Sequence, residues 1–167
     1  MLTRWDVPWN SRPVEEAALL NPAFGGELLT KATFEYTKLN PLGFPIPLLF
    51  LVLPIVLHPP TRQALPRRAD TLLGPWATQQ EPLLSGLPAR ILNLRPATRE
   101  ALLLMLQKEV LVVGEDRIRL GSKKLRGSLS DRTEEVSDIV RSAGMLGRWF
   151  AVQRSLVQTL QALGLRP

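Results

Sequence analysis

The stretch that decides the fold is FPIPLLFLVLPIVLHPPTRQALP, which runs from Phe44 to Pro66. Its first fourteen residues, Phe44 to Leu57, carry neither a charge nor a hydrogen-bonding side chain. The chain turns polar only after His58-Pro59-Pro60, at Thr61-Arg62-Gln63. Because this is the most apolar segment of the chain, we expect the other elements to pack around it and cover it.

A membrane-associated segment is the alternative interpretation of Phe44 to Leu57. A helix that spans a bilayer needs about 20 apolar residues in a row. This run is shorter and contains Pro45, Pro47 and Pro54, and proline removes a backbone donor and bends a helix. The sequence therefore predicts a buried, proline-interrupted core helix that is bent or broken near Pro54.

The composition is that of a globular protein of one domain. The 167 residues are 45% apolar and 22% charged, and the formal net charge is +6. A basic excess of this size favours polyanions or acidic protein surfaces as partners. The chain has no cysteine, which excludes disulfides, thiolate nucleophiles and cysteine metal sites. Since residues 1–17 lack a continuous apolar stretch, we predict no signal peptide and a cytoplasmic protein.

We divide the predicted single domain, residues 1–167, into an extended arm (1–13), a helical half (14–88) and a winged-helix-like half (89–167). A short helix over 13–20 leads into the helical half and is predicted to end at Asn21-Pro22. Phe24-Gly25-Gly26 predicts a turn, and residues 27–39 return to helical spacing. Thr61 is the predicted N-cap of a short helix from Arg62 onward. Residues 71–76 add one helical turn, and turn signals follow over 79–88.

The second half opens with the clearest helix of the chain, Pro96 to Glu109. The period then changes, and Val110–Val113 and Arg117–Leu120 predict two short strands around a turn. Helix, strand, turn and strand is the order found at the end of a winged-helix domain. The predicted fold class is therefore mainly α with a small β-hairpin (α+β).

Two further helices are predicted after a polar loop over residues 121–130. The first has Asp131 as its cap and runs to Ala143. Gly144 and Gly147 are expected to loosen the chain before the second helix, over 148–163, and Gly164 is expected to end it. One apolar stripe is predicted along the second helix, formed by Trp149, Val152, Leu156, Leu160 and Leu163.

No enzyme, cofactor or metal is predicted. The single histidine, His58, lies between the apolar run and two prolines, where a structural role at a helix end is expected. One histidine without cysteines does not make a zinc site. The chain has no phosphate-binding glycine loop of either common type, and no serine has a His-Asp companion.

Basic and aromatic side chains supply the candidate contact residues. Six cations lie within residues 117–132, and on a wing they would meet DNA phosphates, although a solvated hairpin has the same composition. The candidate DNA contacts are Arg117, Arg119, Lys123, Lys124 and Arg126. The tryptophans of the arm would dock either on the chain's own core or on a partner protein. The side chains of a second arginine cluster would lie either in solvent or against a partner protein. The candidate partner contacts are Trp5, Trp9, Arg62, Arg67 and Arg68.

Several segments read together resemble a known family. They are Arg12-Pro13-x-Glu15-Glu16-Ala17-x-Leu19-Leu20-Asn21-Pro22-Ala23-Phe24, Phe50 to His58 with Thr61-Arg62 and Leu65-Pro66, Thr98 to Leu102, Gly147 to Ala151, and Leu163 to Pro167. In their order and spacing they are similar to the middle component of bacterial three-component ABC systems, the accessory subunit of Lamassu-type anti-phage defence. The resemblance covers nearly the whole chain.

The resemblance implies a non-catalytic adaptor subunit. Such a subunit would bridge an SMC/Rad50-like ABC ATPase, which senses foreign or broken DNA, and an effector nuclease. The complex would bring the chain to double-stranded DNA. The alternatives are a free-standing winged-helix DNA-binding regulator and a protein that meets a membrane through Phe44 to Leu57.

Overall fold

A computed structural model describes residues 20–125 and 132–166. The described chain is mostly helical with one small antiparallel sheet, which confirms the predicted fold class. The helices are α1 (Pro22–Leu39), α2 (Ile46–Val56), α3 (Pro59–Ala64), α4 (Leu73–Gln79), α5 (Glu81–Leu84), α6 (Leu87–Gln107), α7 (Glu134–Ala151) and α8 (Leu156–Ala162). The strands are β1 (Phe44–Pro45), β2 (Leu111–Gly114) and β3 (Arg117–Leu120).

The apolar run forms α2, and the predicted core helix is confirmed. Pro45 precedes the helix and Pro47 lies in its first turn, where no N–H is needed. Its residues from Leu48 onward are almost all buried. The break predicted as one alternative near Pro54 is wrong, because the helix continues through this residue and ends two residues later. A bend near Pro54 stays a prediction. Within residues 20–125 and 132–166, no helix is both long and apolar enough to cross a membrane.

Helix α1 contains the double glycine, so the turn predicted at Phe24-Gly25-Gly26 is wrong. A Cβ on Gly26 would lie 2.6 Å from Cε of Met105 on α6, which shows how closely the two helices pack. Asn21 begins the helix, and its side chain accepts a hydrogen bond of 2.8 Å from the N–H of Ala23. The helix predicted over 13–20 lies outside the described residues except for its last position.

Helix α6 is longer than predicted, because it begins at Leu87 and passes through Pro96. Proline cannot donate to the carbonyl of residue 92, four positions earlier. Leu92 is 67% exposed, so this turn lies on the solvent side of the helix. The turn signals over 79–88 correspond to α5 and the start of α6.

Helix α7 is one continuous element, so the break predicted at Gly144 and Gly147 is wrong. A Cβ on Gly147 would overlap the carbonyl oxygen of Ala32, which means that this glycine allows α1 and α7 to touch through their backbones. The second predicted helix is divided, since α7 ends at Ala151 and α8 starts at Leu156. Val152, in the predicted stripe, is exposed between them.

Two helices begin at other N-caps than predicted, and a third helix ends at the predicted glycine. His58, and not Thr61, is the N-cap of α3. Thr133, and not Asp131, caps α7, and its hydroxyl accepts a hydrogen bond of 3.2 Å from the N–H of Val136. Asp131 itself lies outside the described residues. Gly164 ends α8 in the left-handed conformation (φ +75°), as predicted.

The predicted hairpin is present, and a strand from the apolar run completes the sheet. β2 pairs with β3 around Glu115-Asp116, and β1 pairs with the other edge of β3, so the strand order is β1-β3-β2. Ile118, at the centre, is fully buried, whereas Leu120 is 39% exposed. The predicted alternation therefore holds at Ile118 and fails at Leu120. The winged-helix character of this half stays a prediction.

The core joins both halves of the chain. Side chains of α1, α2, α6, α7 and the sheet form one buried cluster. Its aromatic members include Trp76 and Trp149, whose rings meet edge to face at 4.9 Å. Each indole N–H donates to a backbone carbonyl, that of Ala64 at 2.8 Å and that of Thr71 at 2.7 Å. These bonds fix the connection between α3 and α4 against α7.

Candidate functional site

The two arginines of β3 lie on the outer face of the sheet. Side chains alternate along a strand, so Arg117 and Arg119 point away from the side that holds buried Ile118. Arg117 is half-buried, and its guanidinium donates to the carbonyl of Gly43 at 2.9 Å. Arg119 is exposed and is therefore the freer of the two cations.

The lysines that follow β3 belong to a different surface. Lys123 and Lys124 are exposed and line a groove on the side of the sheet that carries Leu120. Arg126 lies outside the described residues. The structure thus divides the candidate DNA contacts, placing Arg117 and Arg119 on the outer face and Lys123 and Lys124 at the groove.

The groove lies between α1, the end of β3 and the start of α7, and its volume is about 970 Å³. Its walls are mainly apolar, and two of the contributing side chains, Phe34 and Leu125, are 42% and 40% exposed. The polar lining includes four cations and one carboxylate. The lining of the groove includes Phe24, Glu27, Thr30, Lys31, Phe34, Lys123, Lys124, Arg132 and Val140.

Two polar atoms beside the groove have no hydrogen-bond partner within the described ranges. They are Oγ1 of Thr30 and Nε of Arg132, and both are buried. Arg132 pairs through a different nitrogen with Glu27 on α1. Since buried polar atoms nearly always have a partner, these two atoms mark the groove as a place where a further acceptor is needed.

The groove was missed by the sequence reasoning, although α1 carries a signal for it. The predicted apolar face of α1 is the one that packs into the core. A second row, Phe24, Glu27, Lys31 and Phe34, recurs at three- and four-residue spacing, as on one face of a helix. Such a row of aromatic and charged side chains, in which Phe34 is exposed and Phe24 half-buried, identifies a candidate contact face, but not the elements that lie opposite.

Glu35 is the electrostatic centre of α1 and lies one turn from the groove. It is 7% exposed and accepts from Lys31 at 3.1 Å and from Lys38 at 3.3 Å, while Arg148 on α7 is also 3.3 Å away. Burial opposes its ionisation, but the hydrogen bonds from Lys31 and Lys38 outweigh burial, and the pKa of Glu35 is lowered. This cluster holds α1 and α7, two walls of the groove, together.

The second arginine cluster is divided between the interior and the surface. Arg62 is buried and donates to Asp138 at 2.9 Å, to Glu135 at 3.3 Å and to the carbonyl of Val56 at 2.8 Å. Its guanidinium is therefore engaged by acceptors within the chain. Partner contact by this residue stays an untested prediction that its burial disfavours.

The remaining candidate partner contacts differ in accessibility. Arg67 is exposed, and Arg68 is exposed and paired with Asp70 at 2.6 Å. Trp5 and Trp9 lie outside the described residues. Of the five candidates, Arg67 and Arg68 are thus the ones that the described chain presents to solvent.

His58 has the structural role at a helix end that the sequence predicts. Its Nδ1 lies 2.7 Å from the hydroxyl of Thr61 and accepts from the N–H of the same residue at 3.4 Å. Burial, together with the charge of Arg90, lowers its pKa. Arg90 also donates to the Thr61 hydroxyl, at 3.1 Å. In the part of the chain that the structure describes, no three His, Cys, Asp or Glu side chains are grouped to hold a metal ion.

Comparison with known families gives a match over most of the chain. The model of a family described as ABC-three component (ABC-3C) system Middle Component 3 matches residues 9–167. No curated protein and no solved structure is significantly similar to the chain.

Proposed function

Because the chain belongs to the Middle Component 3 family of ABC-three component systems, we propose that it is a non-catalytic adaptor of a bacterial anti-phage defence complex. In this role it bridges an SMC/Rad50-like ABC ATPase and an effector nuclease, in the cytoplasm, as the Lamassu-type resemblance implies. The observation that carries the proposal is the family match, which covers the hairpin as well as the helices.

The described residues support an adaptor more than an enzyme. The imidazole of His58 is engaged as a helix cap, and Arg62 and Glu35 are engaged in ion pairs that join helices. The accessible features are instead contact surfaces, namely the hairpin with its exposed valines, Val112 and Val113, and the groove. Accessible apolar side chains of this kind are typical of subunits that bind other proteins.

The direct test is co-purification of the tagged chain with the other components encoded beside it, followed by mass determination of the assembly. We expect a coiled-coil ATPase to co-purify in a defined stoichiometry. If the chain instead purifies as a lone monomer or symmetric dimer that binds DNA, the adaptor role is wrong. The free-standing winged-helix regulator would then be the better explanation.

DNA contact by the adaptor is a separate part of the proposal. We expect the variant Lys123→Glu/Lys124→Glu/Arg126→Glu to weaken binding of the complex to duplex DNA. The slope of log K against log salt concentration is negative, and each lost phosphate contact should reduce its magnitude by about 0.9. Titrations at several salt concentrations measure this slope.

A matched variant on the outer face of the sheet shows which surface meets the DNA. Arg119→Glu reverses an exposed charge without touching the groove. A smaller slope in Arg119→Glu alone would assign the contact to the outer face. Unchanged affinity and slope in both variants would contradict any DNA contact by this subunit.

A further inference from the structure

The charge of the groove is unbalanced. Lys31 pairs with Glu35, and Arg132 pairs with Glu27. For Lys123 and Lys124 the described residues provide no carboxylate partner, and both side chains are exposed at the rim of the groove. The lining as a whole has four cations and one carboxylate, a balance of +3. An occupant with negative charge is therefore favoured.

The interior of the groove needs a hydrogen-bond acceptor. Nε–H of Arg132 can only donate, and among residues 20–125 and 132–166 it is buried without a partner, as is the hydroxyl of Thr30. A buried polar atom left unpaired destabilises the folded protein. Because both residues line the groove, a carboxylate or a peptide carbonyl that enters it can serve as the acceptor for either group.

The walls require that the occupant be partly apolar. Phe24 and Phe34 project from α1, and Val140 faces them from α7. Aromatic side chains at the surface are characteristic of protein contacts. Duplex DNA could meet the lysines at the rim, but its phosphate backbone offers nothing apolar to contact the walls inside the groove.

We propose that this groove binds an acidic and apolar peptide segment of another component of the same ABC-three component system. The inference rests on the proposed adaptor function and specifies one of its contact surfaces. Aromatic or aliphatic side chains of the segment contact Phe24, Phe34 and Val140. Its carboxylates pair with Lys123 and Lys124, and its backbone accepts from Arg132 and Thr30.

Charge decides against two other occupants. A second copy of the chain carries a net charge of +6, so it does not complement a basic groove. The chain's own residues 1–19 have two arginines, Arg4 and Arg12, against three acids, Asp6, Glu15 and Glu16, a side-chain balance of only −1. A partner segment with several unpaired carboxylates matches the groove better than either of them.

Photo-cross-linking inside the co-expressed complex tests the proposal. Phe34→p-benzoylphenylalanine places a cross-linker at an aromatic and exposed position of the groove. Leu92→p-benzoylphenylalanine, on an exposed position of α6 that does not line the groove, is the control. We expect only the Phe34 variant to cross-link to an acidic, apolar peptide of another component, as identified by mass spectrometry.

Charge reversal gives a second readout. In the Phe34→p-benzoylphenylalanine background, Lys123→Glu/Lys124→Glu should reduce the cross-link about tenfold, because two favourable ion contacts become repulsive. Arg95→Glu/Arg154→Glu reverses two exposed cations outside the groove and should leave the cross-link unchanged.

The possible failures are distinguishable. If the complex forms but Phe34 cross-links to residues 1–19, to a second copy or to nothing, the groove inference is wrong and the adaptor function stands. If the lysine reversal abolishes DNA binding while the peptide cross-link persists, the lysines serve DNA and the charge argument is overturned. If no other component co-purifies, the adaptor function fails, and the inference fails with it.

Discussion

Gly147 lies where α1 and α7 come closest. A Cβ at this position would overlap the carbonyl oxygen of Ala32, and a backbone atom cannot swing aside as a side chain does. We expect Gly147→Ala to lower the free energy of unfolding by about 2 kcal/mol, because overpacking outweighs the small gain in helix propensity. Urea denaturation checks this prediction, and the slope of the free energy of unfolding against urea concentration should stay unchanged.

Gly74 is the matched control for that substitution. It also lies in a helix, α4, but no heavy atom outside its chain neighbours and its own helix backbone lies within 4 Å of its Cβ position. Gly74→Ala should therefore change the free energy of unfolding by less than about 0.5 kcal/mol, because the gain in helix propensity is opposed by the steric effect of Pro75 on the residue before it. Equal effects of the two substitutions would mean that the close approach of α1 and α7 is not a constraint.

Arg62 ties three elements together through one guanidinium. It bonds to the last turn of α2 at Val56 and to α7 at Glu135 and Asp138. Hydrogen bonds that involve a charged group contribute about 1.5–3 kcal/mol each, although the exposure of both carboxylates reduces their share. We expect Arg62→Ala to lower the free energy of unfolding by about 2 kcal/mol in urea denaturation.

Two further variants separate the contribution of the planar guanidinium of Arg62 to stability from the contribution of its charge. Arg62→Lys keeps the charge but cannot reach three acceptors in one plane, so it should recover little of the loss. Arg67→Ala removes an exposed arginine of the same cluster and should change the stability by less than about 0.5 kcal/mol. Full recovery by lysine would show that charge alone matters at this position.

At the scale of the element, α3 depends on the protonation of its N-cap. Neutral His58 accepts from the N–H of Thr61, and its folded-state pKa lies below the ordinary value. The native state thus binds fewer protons than the unfolded state. The free energy of unfolding should therefore fall as the pH is lowered through the unfolded pKa of about 6.5.

His58→Asn separates this effect from other titrations. Asparagine is a good N-cap and does not titrate, so the variant should lose the decrease that wild type shows between about pH 7.5 and pH 5. Comparing the two proteins at each pH by urea denaturation cancels the contribution of the carboxylates. Parallel pH profiles would show that the imidazole makes no difference to stability.

Elements whose cause is local could be predicted from the sequence. The apolar run indicates α2, and the alternation around Glu115-Asp116 indicates the hairpin, from patterns that span only a few neighbouring residues. The turn predicted at Gly26 and the break predicted at Gly147 are wrong because each glycine instead permits a close contact with a helix far along the chain. β1 has only two residues and exists because β3 lies beside it, so no periodicity can reveal it.

The candidate site was predictable only in part for the same reason. The basic character of residues 117–124 is plain in the sequence. Its division between the outer face and the groove follows from strand register and from the packing of α1 against α7, which are long-range properties. Arg62 shows the converse case. Its charge made it a candidate for partner contact, but its guanidinium instead bonds to a helix more than seventy positions away in the chain.

At the scale of the whole molecule, the N-terminal arm should be separable from the fold. Trp5 and Trp9 remain candidate anchors for a partner subunit. We expect deletion of residues 1–10 to release a partner component in co-purification and to leave the thermal transition intact. Disappearance of that transition would mean that the arm belongs to the core.

The contact of Gly147 with Ala32 also bears on how the chain is made. The two residues are 147 − 32 = 115 positions apart, and at about 5–20 residues per second a ribosome needs roughly 6–23 s to add the second after the first. Until then α1 and the apolar α2 have no α7 to cover them. Newborn chains therefore pass through an interval of exposed core, during which chaperones or a partner already in place would protect them from aggregation.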